Sequence, residues 1–459
     1  MISINSLQSA LEALDHEDAG VRYHSAWWLG KHRAVEAVPK LVECLSDERE
    51  TTSTGGYPLR RQAARSLGMI RDSGCIPELL KTLETDDVQL HEATLRALIE
   101  IKSDQSTHSL LNYLERNIES KPIEALIEAL TEHKAWQISE KIRPFLSSES
   151  ERVVSSAATF FFCCTGQIIY LDKVISLLDH HNRFVMQSAA FDLARIGTIE
   201  AAKPILKSKI PNNIKMFAIK SILSKSLMED RKTTSIPQSE QKSIHNSLLK
   251  KLDDLVRENF SGNLLIDQDE QSAEKHLAGE QTTQDEFLAD AFKNLRAPSL
   301  ASREAGIEKL IRSADSFKIN LLDLYFSEPD QDIKMGLIKV MSVLRRPLYA
   351  KAFIDAIGFE IGNHCQGNIR RVAACALGEI KWSDKGASED LPAIIKKLGW
   401  TLHSPEDWGL RYGACLALEG ISNANSIELL INAKEKEPDP VICMRIEHAL
   451  STSKTKELN

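Results

Sequence analysis

The chain repeats one short pattern of hydrophobic and polar positions along much of its length. Each copy opens on an apolar residue followed by a basic or polar one. Two variable positions, two small residues and one more variable position then lead to Ala-Leu-Gly or a relative of it. Val21-Arg22 leads to Ser25-Ala26 and Leu29-Gly30, and Leu59-Arg60 to Ala63-Ala64 and Leu67-Gly68. Val185-Met186 leads to Ala189-Ala190 and Leu193, Ile369-Arg370 to Ala373-Ala374 and Leu377-Gly378, and Leu410-Arg411 to Ala414-Cys415 and Leu418. Weaker copies begin at Leu90, Val153, Ile214, Ile333 and Val441. Between the copies lie second amphipathic stretches, such as Ala37-Val38-Pro39-Lys40-Leu41-Val42 and Cys75-Ile76-Pro77-Glu78-Leu79-Leu80. Their prolines fall where the first turn of a helix tolerates them.

This pattern predicts paired helices. Small residues let neighbouring helices approach closely, and the glycine after Leu29, Leu67 or Leu377 either ends its helix or permits that approach. No single pair can bury its apolar face, so the pairs must stack. The copies recur at roughly 30 to 40 residues, near the ~40 of HEAT and armadillo repeats. The expected fold is all-α: a curved, HEAT/armadillo-like α-solenoid, a superhelical array of helix pairs. The periodicity weakens between Met228 and Asp290, which divides the chain into an N-terminal array over 1–228, an insertion over 229–290 and a C-terminal array over 291–459. Within the insertion Ile244 to Val256 suits one amphipathic helix, and the acidic, Gln-rich stretch from Gly262 to Gln284 reads as a mobile linker.

Composition narrows the function. The net charge is −8, whereas nucleic-acid binders usually carry a basic excess, so no nucleic-acid partner is expected. No apolar run reaches the ~18 residues of a membrane span, and the N-terminus lacks the basic region of a signal peptide, so the expected location is the cytosol, without membrane insertion. The 8 cysteines form no C-x-x-C pair and no Cys/His cluster with zinc spacing. No metal is expected, and Cys163-Cys164, inside an apolar run, are expected to be buried thiols. Phosphate-loop, dinucleotide, zinc-protease and serine-hydrolase signatures are absent.

The third, fourth and seventh residues of each copy are not needed for the core and should line one face of the array. In the first copy these are Tyr23, His24 and Trp27; the second gives Arg61 and Arg65, the third Glu92 and Arg96. Towards the C-terminus the matching places carry Arg371, Cys375 and Tyr412. Aromatic rings beside guanidinium forks suit a flat, conjugated ligand that bears carboxylates. Arg22, Arg60, Arg370 and Arg411 occupy the repeat's own basic position and should form a structural ladder, while Trp28 aligns with a core alanine. His24 stays open between a ligand contact and an ordinary helix-surface histidine.

The stretches from Val21 to Gly30 and from Gly55 to Arg65, with their paired tryptophans and the string Gly-Gly-Tyr-Pro-Leu-Arg-Arg, resemble the E/F-type phycobilin lyases of cyanobacteria. Asp407-Trp408-Gly409-Leu410-Arg411-Tyr412 is similar to the same family. The resemblance anchors both ends of the chain, and the middle matches by repeat type alone. As a long single chain, it looks like the branch acting on phycoerythrin. The resemblance implies attachment of phycoerythrobilin, a bound substrate rather than a prosthetic group, through a thioether to a cysteine of apo-phycoerythrin, its α-subunit being the expected partner. Some members of that branch also isomerise the product to phycourobilin. It further implies that Arg61 and Arg65 hold propionates while Tyr23 and Trp27 stack on pyrrole rings, with Arg96, Arg371 and Tyr412 on the same wall. His24 and Tyr23 are the nearest candidates for a general acid. The rival is a non-catalytic HEAT-repeat scaffold or chaperone for phycobiliprotein assembly.

Overall fold

A computed structural model of the chain describes residues 4–53, 55–228, 238–257, 283–313, 315–358, 366–380, 390–404 and 407–457. The chain falls into two compact units, Met1–Ser226 and Leu227–Asn459. The described residues are helical and contain no strand, as the repeat predicts. The expected linker from Gly262 to Gln284 lies almost wholly outside the described residues.

In the first unit short helices alternate with longer ones. The short set includes Val38–Cys44 and Ile76–Thr82, each with its proline in the first turn. The long set includes Ala19–Lys31, Pro58–Ile70, Val88–Ile101, Ile123–Glu132, Glu151–Thr165 and Arg183–Ile196, each packed on the next. The paired small residues make this possible: Ala26, Ala63, Ala64, Ala93, Ala157, Ala158, Ala189 and Ala190 are all buried. Gly68 settles the role of the repeat's glycine. It lies inside its helix, and a Cβ there would stand 2.7 Å from Cα of Ala97 on the next long helix, so close approach is what it provides.

The repeat arginines tie each long helix to the segment before it. Arg60 Nε donates to the carbonyl of Asp47 at 2.7 Å and Arg370 Nε to that of Ile357 at 2.6 Å. Arg22 donates to the carbonyls of His16 and Glu17, and Arg411 to that of Ser404. Buried carbonyls at these corners need donors, and a guanidinium supplies several at once. Gly55 and Gly56, at φ 82° and 81°, make the left-handed turn that precedes Pro58, and Arg60 then stacks on the Tyr57 ring at 3.9 Å.

The second unit repeats the arrangement in Gln331–Leu344, Gln366–Glu379, Trp408–Ile421 and Pro440–Glu457. One helix in it departs from the pattern. Gln238–Arg257 packs across Gln366–Glu379 and Trp408–Ile421 and buries Leu249, Leu252 and Val256. The thiol prediction needs one correction. Cys163 is exposed and Cys164 half-buried, because the register of Glu151–Thr165 turns Phe160 and Phe161 inward instead.

Candidate functional site

The face expected to carry ligand is differentiated along the first unit. Tyr23 and His24 are half-buried on Ala19–Lys31, and His24 stacks on Trp27 at 5.1 Å. Trp27 itself is only 2% exposed, so its ring offers no open face for stacking. Trp28 is buried against His32, as its core position predicts. Burial lowers the His24 pKa, which keeps the ring neutral near pH 7. Arg61 is half-buried and bonded to Gln89, while Arg65 is exposed.

In the second unit the corresponding residues are already taken. Tyr412 is fully buried and donates its hydroxyl to Asp253 at 2.6 Å; Arg371 Nε donates to the carbonyl of Val256 at 3.0 Å. Asp253 also pairs with Arg445, and Arg257 with Glu379. Helix Gln238–Arg257 therefore occupies the positions that the repeat alone assigns to a ligand, and Arg371 and Tyr412 are bound within the fold rather than presented.

A cleft of the first unit lies further along the long helices. It encloses about 550 Å³, within the range of roughly 300–1,000 Å³ usual for small-molecule sites. Three phenylalanines line it with unusual exposure: Phe184 at 58%, Phe191 at 42% and Phe217 at 42%. Phe191 and Phe217 meet edge to face at 5.4 Å. Arg71, Arg96, Arg152, Arg195, Lys102 and Lys225 share the lining with Glu100, Glu124, Glu128 and Glu132.

These charges are interlocked. Arg96 and Arg195 both reach the buried Glu128, at 3.2 and 3.0 Å, and Arg152 reaches Glu124 at 2.6 Å. Arg195 also holds Asp192 at 2.8 Å, and Ser155 donates to the other carboxylate oxygen of Asp192 at 2.5 Å. Burial pushes the Asp192 carboxyl up to about 7, helped by the nearby charge of Glu128 and opposed by Arg195 and Ser155. Lys225 donates to the carbonyl of Arg195, and burial lowers its pKa. The cleft thus offers apolar ring faces beside cations held at fixed positions, a surface for a flat ligand with acid groups.

Of the predicted contacts only Arg96 lines this cleft; Tyr23, His24, Trp27, Arg61 and Arg65 do not. The same positional rule reaches Phe191, the seventh residue of the copy that starts at Val185, and Gln187 and Ser188, its third and fourth, also line the cleft.

The fold is an all-α HEAT-type solenoid, and its first unit carries a cleft lined by aromatic and charged side chains. A family model described as PBS lyase HEAT-like repeat matches residues 21–47 and 59–85. The bilin biosynthesis protein PecE of Mastigocladus laminosus is 41% identical over 229 residues, covering 50% of this chain and 85% of that protein. The phycocyanobilin lyase subunit alpha of Nostoc sp. PCC 7120 is 32% identical over 240 residues, covering 50% of this chain and 87% of its own. The complex of CpcE and CpcF of phycocyanin lyase from Nostoc sp. PCC7120 aligns with 54% of this chain and 96% of the matched chain, at 30% identity and a TM-score of 0.47. The chain belongs to the family of HEAT-repeat phycobilin lyases. No helix among the described residues is long and apolar enough to cross a membrane.

Proposed function

We propose that the chain holds a linear tetrapyrrole in the Phe184–Phe191–Phe217 cleft and joins it through a thioether to a cysteine of a phycobiliprotein subunit. The substrate pair in this proposal is phycoerythrobilin and apo-phycoerythrin α-subunit. The observation that carries it is the set of three exposed phenylalanines in one cleft with fixed cations, because solvated rings of this size are unusual without a ligand. A bilin is flat and bears two propionates, so rings take its faces and Arg96, Arg152 or Arg195 its acid groups. This moves the chromophore away from Tyr23, Trp27, Arg61 and Arg65.

The bond formed is carbon–sulfur. The acceptor thiol adds across the exocyclic double bond of the bilin, and its proton ends on the neighbouring carbon; nothing leaves. The nucleophile belongs to the acceptor, so the chain contributes a fixed, extended bilin geometry, and positioning of this kind can lower a barrier by several kcal/mol.

The test is co-expression with the apo-α-subunit and a phycoerythrobilin-producing pathway, followed by the absorption spectrum of the denatured subunit. A covalent band at the phycoerythrobilin position supports attachment, and one at the phycourobilin position adds isomerisation. Replacing Phe191 and Phe217 by alanine should cut the yield about tenfold or more, since each ring removes over ~1 kcal/mol of ligand contact. A subunit that stays colourless, with the β-subunit and with phycocyanobilin as well, leaves the scaffold reading in its place.

A further inference from the structure

Arg195 has all three of its side-chain nitrogens engaged by carboxylates. Nη1 holds Asp192 at 2.8 Å, Nη2 holds Glu128 at 3.0 Å, and Nε meets Glu132 at 3.4 Å. These three acids are not equivalent. The Asp192 side chain is 0% exposed and that of Glu128 5%, and moving either would strand a second partner, Ser155 on Asp192 or Arg96 on Glu128. Glu132 is the last residue of Ile123–Glu132, keeps 22% exposure and makes the longest contact of the three. Its carboxylate can swing out, because it regains water on leaving.

A second cation stands at the same point. Lys225 donates to the backbone carbonyl of Arg195, and among the described residues no carboxylate pairs with it. Burial lowers its pKa, and the nearby charge of Glu132 opposes that shift. Lys225 is therefore a half-buried ammonium with N–H groups left for an anion.

The sequence sets both cations beside rings. Phe191 and Arg195 lie one turn apart on Arg183–Ile196, and Phe217, Ser221 and Lys225 follow at steps of four on Asn212–Met228. Residues four apart share a helix face, and all five line the cleft. The two helices touch at both levels, through the Phe191–Phe217 rings and through the Lys225 bond to Arg195. Only about 6 Å of helix axis separates Phe191 from Arg195. A flat ligand lying on the rings thus brings an acid group to the cations.

We propose that Arg195 and Lys225 take a carboxylate of the bilin, and that Glu132 fills this point in the free chain and yields it to the ligand. Arg195 lines the cleft with 14% of its side chain exposed, and a departing Glu132 leaves a space of carboxylate size at Nε. The incoming acid accepts from Arg195 Nε and Lys225 Nζ, while Glu128 and Asp192 keep the guanidinium in place. Glu132 becomes a specificity-determining residue. A tethered competitor acts at high effective concentration, so an acid group displaces it only when the rest of the ligand also covers Phe191 and Phe217. A neutral ring system covers the phenylalanines and leaves the Glu132 pair intact.

This assignment rests on the bilin reading of the cleft, and one set of titrations separates the two. Wild-type chain, Glu132→Gln and Lys225→Gln are titrated by absorbance with phycoerythrobilin and with its dimethyl ester, whose acid groups are masked. Glutamine at 132 keeps the shape and removes the competing charge. Glu132→Gln should bind the diacid about threefold or more tighter than wild type, with the ester unchanged. Lys225→Gln should bind the diacid about tenfold weaker, again with the ester unchanged. Diacid affinity that is unchanged or reduced in Glu132→Gln overturns the proposal, as does an equal change for the ester, which would make Glu132 a packing residue. Unchanged diacid affinity in Lys225→Gln overturns it too. Should Glu132→Gln not fold, Glu132→Asp, whose arm is one methylene shorter, carries the comparison with the same expected sign. Wild-type chain that binds diacid and ester while neither variant shifts the diacid leaves the bilin reading standing and defeats this proposal alone. Wild-type chain that binds neither form removes the bilin reading, and this assignment falls with it.

Discussion

Tyr412 donates its hydroxyl to the carboxylate of Asp253 across 159 residues of chain, in a place with no exposure to solvent. Arg445 pairs with the same carboxylate at 3.1 Å and with Glu419 besides. This contact fastens Gln238–Arg257 to the repeats of the second unit. Burial still raises the Asp253 pKa despite these partners, so the carboxylate depends on each of them.

Tyr412→Phe removes one hydrogen bond to a charged, buried group, a loss of about 1.5–3 kcal/mol. Urea denaturation should show that loss in the second unit, and amide exchange should quicken over residues 238–257 before it does elsewhere. Unchanged exchange in that helix would mean that Leu249, Leu252 and Val256 hold it without help.

Asp192 makes stability depend on pH in an unusual direction. Its folded pKa, about 7, lies above the ordinary carboxylate value of 3.8. Between those values the folded chain binds the extra proton, so this group favours folding at low pH and loses that contribution as pH rises to about 7. Asp192→Asn cannot titrate. Its melting temperature should therefore hold up better than wild type as the pH is raised from 5 to 8, and parallel melting curves for the two proteins over that range would remove the assignment.

Gly68→Ala tests the spacing of the long helices. The new methyl would stand 2.7 Å from Cα and 3.0 Å from Cβ of Ala97, and backbone gives way only by shifting a helix. Overpacking of this sort costs about 1–3 kcal/mol, more than the helix propensity gained. Thermal melting should fall by several degrees, and a rise would show that the helices have room to part.

Much of the fold could be read from the chain because its rule is local. Alanine pairs, helix-start prolines and repeat arginines each act within a repeat or on its neighbour, and Ala63-Ala64, Pro77 and Arg370 all stand where the pattern puts them. The site was less legible. The positional rule gives the face a residue occupies but not what covers that face, and the segment covering Arg371 and Tyr412 comes from 115 and 159 residues away. Trp27 carried an aromatic signal on the right face yet packs inside, where its ring contributes burial rather than a platform. Phe191 and Phe217 were within reach of the same rule, as the seventh residue of the copy at Val185 and the fourth of the copy at Ile214, whereas Phe184 stands just before its copy begins.

Helix Gln238–Arg257 reaches its ridge by covalent attachment, and this sets how its occupancy depends on concentration. A tethered ligand acts at an effective concentration fixed by its tether, so its occupancy does not fall when the protein is diluted. The ridge of the second unit stays filled in a single molecule.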